Sequence, residues 1–193
     1  MAIYLTSNAA LCLRIRKNYL KMPRFSDEDL LRIYPKIIDK VKYSLTNWAF
    51  ADIRRASSGG AKLGAFILAS CYIDYLSGYY FGGESTRSNY IDFCRIFLPK
   101  YNANDLYKSV RCRLVHNYSL ESNCAFTHHH YKLHLRPTED GKTVLNLGSF
   151  VNDLSKAMEL FFSEVDKDPR LKVNFARRYK TIGTMSPHPL AIS

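Results

Sequence analysis

The chain has 193 residues, 47% of them hydrophobic and 23% charged, with 14 Tyr and 11 Phe. That composition suits a globular core and argues against a disordered chain, and no stretch reaches the roughly 20 uninterrupted apolar residues of a membrane-spanning helix. With 28 Lys and Arg against 17 Asp and Glu, a formal charge of +11, the surface attracts polyanions: nucleic acid, nucleotides or an acidic protein.

Met1 to Leu13 is apolar with a polar patch at Thr6, Ser7 and Asn8. It has no basic leader and no small-residue cleavage site, so it does not read as a secretory signal. The five cysteines, Cys12, Cys71, Cys94, Cys112 and Cys124, are odd in number and form no CxxC. This points to reduced thiols in a cytoplasmic protein. Cys71 lies in an apolar run and is expected in the core. Arg14, Arg16, Lys17, Lys21 and Arg24 make an early basic patch.

Ser26 followed by Asp27, Glu28 and Asp29 is a helix start, a capping hydroxyl ahead of acids in the first turn. The stripe Leu30, Ile33, Ile37, Ile38, Val41, Leu45 carries that helix to about Phe50, with Pro35 as a kink or a break. Ser57-Ser58-Gly59-Gly60 is a turn. Lys62 to Tyr80, nearly all apolar, predicts a buried central helix ending at Gly82-Gly83. Thr86 to Leu98 is another helix, stopped by Pro99. Asn104 is a candidate cap for the helix Asp105–Asn117. Phe126 to Leu135 alternates, and Asp140-Gly141 before Val144, Leu145 and Leu147 signals a β-hairpin over about 126–147. Ser149 opens a helix to about Val165, and Asp168-Pro169 begins a last one. Thr181 to Ser193 has no helical stripe and reads as a mobile tail. The expected fold is mainly α: one domain over 1–180, a bundle of about six helices with an inserted β-hairpin, then the tail at 181–193.

The chemistry concentrates in Leu106 to Tyr118. On an α-helix, positions three apart are separated by roughly 60° and positions five apart by roughly 140°. Arg113 and His116 therefore share a face most directly, with Arg111 offset but long enough to sweep toward the imidazole. Histidine exchanges protons near neutral pH. Arginine presents forked donors to a phosphate without deprotonating. That pair suits cleavage of a phosphodiester by its own 2′-hydroxyl, which needs no metal. Asn117 can bind phosphate or orient the ring. Asp74, an acid in an otherwise apolar helix, needs a partner. Arg111 or Arg113 would serve, and so would another cation or a backbone group. His128, His130 and His134 would share one strand face, with Cys124 near, and suggest a metal site, an exposed hairpin that contacts RNA or a partner, or a purely structural β-arm. No second ligand set supports the metal, and neither a metal nor a cofactor is expected.

The stretch Arg111-Cys112-Arg113-Leu114-Val115-His116-Asn117-Tyr118 resembles the R-x4-6-H motif of HEPN domains. The helix with Ser70-Cys71-Tyr72-Ile73-Asp74-Tyr75-Leu76, the Tyr107 helix and the hairpin after the motif resemble one bacterial branch of HEPN-like proteins. The resemblance covers about residues 27 to 178 and is sharp over 106 to 118. It implies a helical bundle and a metal-independent endoribonuclease of the kind found in toxin–antitoxin, abortive-infection and CRISPR systems. Arg111 and His116 would be catalytic, and Arg113, Asn117 and Asp74 would support substrate binding. It further implies a homodimer that lines one cleft with both motifs, RNA as substrate, and possible pairing with an antitoxin or another acidic protein. The residue after the motif arginine, often polar in active members, is Cys112 here. Some relatives bind RNA or nucleotides, or act as scaffolds, without cleaving.

Overall fold

The computed structural model describes residues 25–118 and 123–182. The early basic patch, the N-terminal stretch and residues 183–193 of the expected tail lie outside them. Six helical rods make up the described fold. The first runs unbroken through α1 (Asp27–Ser44), a π-helical segment π1 (Leu45–Phe50) and α2 (Ala51–Ser58). Ser26 caps it, its hydroxyl accepting from the Asp29 amide at 3.1 Å. Pro35 is accommodated inside α1 without ending it. The rod continues past Phe50 to Ser58 and stops at Gly59.

The central helix α3 (Lys62–Phe81) is apolar on nearly all sides, as a helix surrounded by others must be. It packs against α2, against α4 (Arg87–Phe97), against the motif helix, and against α7 (Leu147–Lys167) and α8 (Pro169–Ile182). Ala65, Ala69, Ile73, Leu76 and Tyr79 are fully enclosed, and they join Phe93, Phe150, Phe161 and Phe175 from the neighbouring elements in one contiguous core cluster. Cys71 is the exception to the expected burial: it lies on the exposed side of α3.

Helix α3 ends where Gly82 adopts a left-handed φ of 72°. A Cβ there would stand 2.8 Å from the Cα of Asn174 in α8. Only glycine permits both the turn and that close approach. The reversal at Gly82 turns the chain back along α3 and into α4, which Thr86 caps through the Asn89 amide at 3.2 Å.

The next rod comprises α5 (Ala103–Asp105), a second π-helical segment π2 (Leu106–Leu114) and α6 (Val115–Asn117). Its cap is Asn102 rather than Asn104: the Asn102 side chain accepts from the amides of Asn104 and Asp105 at 3.1 and 3.2 Å. Asn146 caps α7 through the Ser149 amide at 3.1 Å, which starts that helix at Leu147. Helix α8 carries Thr181 and Ile182, the first two residues expected in the tail.

The expected hairpin is replaced by a different pairing. Strands β1 (Cys124–Thr127) and β2 (Thr143–Asn146) run parallel, in register from Cys124 opposite Thr143 to Thr127 opposite Asn146. The Asp140-Gly141 reversal does form: Gly141 takes a φ of 77° and the Thr138 amide donates to the Lys142 carbonyl at 2.8 Å. Its antiparallel partner is only a short stretch on the other edge of β2, where Leu135 N–H meets Val144 O at 2.8 Å and Val144 N–H meets Arg136 O at 2.9 Å. Pro137 bridges Thr143 there, and having no N–H it cannot extend a ladder. The free edge of β2 is then taken by β1.

Candidate functional site

Arg111 stands at the centre of a three-group cluster. Its Nε donates to Asp74 Oδ2 at 2.8 Å, across 37 positions of sequence. Its Nη1 lies 3.0 Å from Nε2 of His116. Both ends of the ion pair are largely sheltered, the side chains being 25% and 21% exposed, while His116 is exposed. Of the partners left open for Asp74, the fold selects Arg111.

The local helix geometry decides which arginine meets the imidazole. In π2 the backbone hydrogen bonds close five residues apart, so a turn takes roughly 4.4 residues and positions five apart differ by only about 50°. Tyr107 and Cys112, whose hydroxyl and thiol are hydrogen-bonded, are five apart within the segment, and Arg111 and His116 are five apart across its end, His116 lying in α6. The expectation that Arg113 faces His116 most directly assumed an α-helix. In the π register it is Arg111 whose guanidinium reaches the ring. Arg113 is exposed on the same segment, and Asn117 is the last residue of α6. The buried residues of the segment, Leu106, Ser109, Val110 and Leu114, anchor it against α3 and α4.

Asp74 is held from its other side by a residue that sequence reasoning passed over. Ser85 donates to Asp74 Oδ1, and Ser77 stands between them, 2.9 Å from the Ser85 hydroxyl and donating to the Asp74 carbonyl at 2.8 Å. Ser85 reaches Asp74 because the Gly82 turn folds the chain back. The glycine pair was the available signal.

The electrostatics follow the geometry. Burial works against the Arg111 charge, but the adjacent Asp74 carboxylate outweighs it and holds the guanidinium pKa above its usual value. A guanidinium has no acceptor, so in the Arg111–His116 bond the imidazole Nε2 accepts and is unprotonated. Beside the pair, Tyr107 packs edge-to-face on Tyr90 with centroids 5.5 Å apart. The Arg87 guanidinium lies over the Tyr107 ring at 5.7 Å. Burial first, and then the bond to Cys112, raise the Tyr107 hydroxyl above its usual pKa.

The histidine run resolves differently from the shared strand face expected of it. His128 and His129 lie beyond the end of β1 with their rings 3.7 Å apart. Tyr131–Leu133 form a 3-10 turn that carries His134 inward. There His134 Nδ1 accepts from the Asn146 amide at 3.1 Å, so Nε2 carries the proton and faces the Tyr101 hydroxyl at 2.9 Å. Tyr101 in turn donates to Asp153 Oδ2 at 2.5 Å, which Lys100 also meets at 2.7 Å. Burial pulls the His134 pKa below 6.5 despite the Asp153 carboxylate nearby, in keeping with an imidazole held neutral by a backbone donor. This is a structural relay that ties the β-segment to α7. Among the described residues no three His, Cys, Asp or Glu side chains gather as a metal-binding group. Cys71, Cys94, Cys112 and Cys124 are thiols rather than disulfides, and no described helix is long and apolar enough to cross a membrane.

No protein-family model matches the chain, and neither a curated protein nor a solved structure is similar to it.

Proposed function

We propose that this protein is a HEPN-like, metal-independent endoribonuclease whose catalytic pair is Arg111 and His116. The observation that carries the reading is the Asp74–Arg111–His116 chain, with contacts of 2.8 and 3.0 Å, on a protein of formal charge +11. Asp74 fixes the guanidinium through Nε and leaves its Nη edge directed at the imidazole. A phosphate arriving at that edge takes the Nη1 proton donor as its own hydrogen-bond partner. This releases the lone pair of His116 Nε2. The imidazole then accepts the proton of the 2′-hydroxyl as its oxygen bonds to phosphorus. The P–O5′ bond breaks, the 5′-oxygen leaves with a proton from water, and the products are a 2′,3′-cyclic phosphate and a 5′-hydroxyl. Arg111, helped by Arg113, offsets the charge that builds on the phosphoryl oxygens, the work for which a fixed cation is best suited. Asn117 supports the pair. In this reading the protein works as a homodimer in the cytoplasm, in a toxin or defence setting, with an antitoxin or other acidic protein as its regulator.

The deciding experiment is RNA cleavage in EDTA by wild type, Arg111→Ala and His116→Ala, with analysis of the product ends. Cutting that survives EDTA, yields cyclic-phosphate ends and disappears in both variants supports the reading. Folded wild type that cuts none of several RNAs removes it.

A second reading, a non-catalytic RNA- or nucleotide-binding module or protein-interaction scaffold of the same type, is favoured by one specific observation. Arg111 already spends Nε on Asp74 and Nη1 on His116, so the pair can stay closed while the surface of a chain of formal charge +11 binds an anionic ligand without cleaving it. Binding that weakens with salt, with no cleavage, distinguishes it.

A further inference from the structure

We infer that Tyr107 and Arg87 form a base-stacking subsite that receives the nucleobase next to the phosphate held by Arg111, so that the ligand is single-stranded RNA. This rests on the RNA reading of the Arg111–His116 pair and adds the recognition element to it. The argument begins with register. In the π-helical segment, positions four and five apart both fall within about 50° of each other. Tyr107 and Arg111, four apart inside the segment, therefore line one side of the rod, and the 3.0 Å contact from Arg111 to His116 carries that side on to the imidazole. On an α-helix Tyr107 and His116, nine positions apart, would differ by roughly 180°.

Tyr107 is also the aromatic residue of this region whose orientation is set from several directions. Tyr90 packs against it edge-to-face at 5.5 Å, and Tyr90 is itself fully buried and bonded to Ser70 at 3.1 Å. The Tyr107 hydroxyl is tied to Cys112. The ring is nevertheless only half-buried. A partly open ring held from below and at its tip is pre-organised for stacking, which lowers the ordering cost of binding.

Arg87 supplies the other side. Its guanidinium stands 5.7 Å above the Tyr107 ring, and the residue is exposed. A base sandwiched between two planes needs roughly 7 Å, twice a van der Waals contact. The 5.7 Å from the guanidinium carbon to the ring centroid is shorter than that, so the exposed Arg87 moves outward when a base enters. The ring then stacks on Tyr107 and the guanidinium covers the base, as arginine planes do on unpaired RNA bases. A duplex offers no base to such a slot, which selects single strands. Arg87 and Arg111 both act on the Tyr107 ring as nearby cations, and such charge attracts a phosphate backbone.

The test uses the full-length protein with 2′-O-methyl RNA, which cannot supply the attacking hydroxyl and so reports binding alone. Two otherwise identical oligonucleotides are compared, one fully based and one with a single abasic site, together with a version carrying 2-aminopurine at that position. Wild type is expected to bind the based strand roughly tenfold more tightly than the abasic one, the size of one base–aromatic stack, and to quench the 2-aminopurine. Tyr107→Leu should erase the difference and the quenching, and Tyr107→Phe should keep both. Because Tyr107 also packs on Tyr90, the exposed Arg87→Ala is the second probe. It should weaken binding several-fold and reduce the quenching without altering the melting temperature. Salt-dependent binding with no preference for the based strand, or a preference that survives Tyr107→Leu, overturns the stacking subsite while leaving the RNA reading in place. No binding of either strand by folded wild type overturns both.

Discussion

Replacing Asp74 by Asn removes the charge that positions Arg111 while preserving nearly all the shape. In the native arrangement the Asp74–Arg111 contact is 2.8 Å long and its side chains are 21% and 25% exposed. A hydrogen bond to a charged group is worth roughly 1.5–3 kcal/mol, and partial solvent screening places this one toward the lower end. Asn keeps an acceptor oxygen for Arg111 Nε, and its amide can donate to Ser85, whose hydroxyl turns to accept. The expected loss of stability is therefore about 1–2 kcal/mol, a drop of roughly 2–8 °C in melting temperature for a chain of this size. The effect on cleavage should be much larger. A guanidinium held by a neutral acceptor instead of a carboxylate is held less firmly, and misplacement by about an ångström costs about 100-fold in rate. Thermal melting and EDTA-resistant cleavage, measured on the same preparations, separate the two effects. An Asp74→Asn protein that melts a few degrees lower but cleaves at the wild-type rate would refute the positioning role and leave Asp74 a structural ion-pair partner. Unchanged melting would show that the pair does not contribute to the folded state.

Three further outcomes are expected. Arg111→Lys keeps the charge but loses the fork that spans Asp74 and His116, so cleavage should fall by roughly 100-fold or more with salt-dependent RNA binding retained; near-normal cleavage by the lysine variant would show that charge alone suffices. Gly82→Ala must place a Cβ at a φ of 72° and 2.8 Å from the Asn174 backbone, so it should cost about 2–4 kcal/mol from the left-handed conformation and the clash together; a melting temperature within a degree or two of wild type would contradict that close approach. His134 has its folded-state pKa held below 6.5 by burial, so as the pH falls through 6.5 the unfolded chain takes up the proton first and stability declines until the folded pKa is passed; His134→Gln should flatten the fall in melting temperature between pH 7 and 5 relative to wild type, and parallel slopes would exclude His134 as its source.

The sequence by itself marked the helical stretches, though not every end, since the first rod runs on from Phe50 to Ser58. Their boundaries rest on local chemistry: Ser26 and Thr86 accept from amides three residues on, Gly82 takes the left-handed turn, and Pro169 opens the last helix. The apolar run of Lys62–Phe81 marked the central helix because few residues there could face water. The residue types of the site, a histidine, two arginines and an acid in an apolar helix, were legible for the same reason. The tertiary structure decided how these pieces meet. Only the packed fold joins Asp74 to Arg111 across 37 positions and brings Ser85 back onto Asp74. The π register of Leu106–Leu114, whose buried side is Leu106, Ser109, Val110 and Leu114, is announced by no residue preference. It turns Arg111 rather than Arg113 onto His116. The β-segment shows the same limit. Asp140-Gly141 specifies a reversal, but which strand lies along β2 depends on competition for its edges. Pro137 curtails the antiparallel partner, β1 supplies a parallel one, and His134 is drawn inward between Asn146, Tyr101 and Asp153 instead of standing on a strand face. Local rules act within a few residues, whereas pairing, helix register and burial depend on what the rest of the chain leaves unfilled.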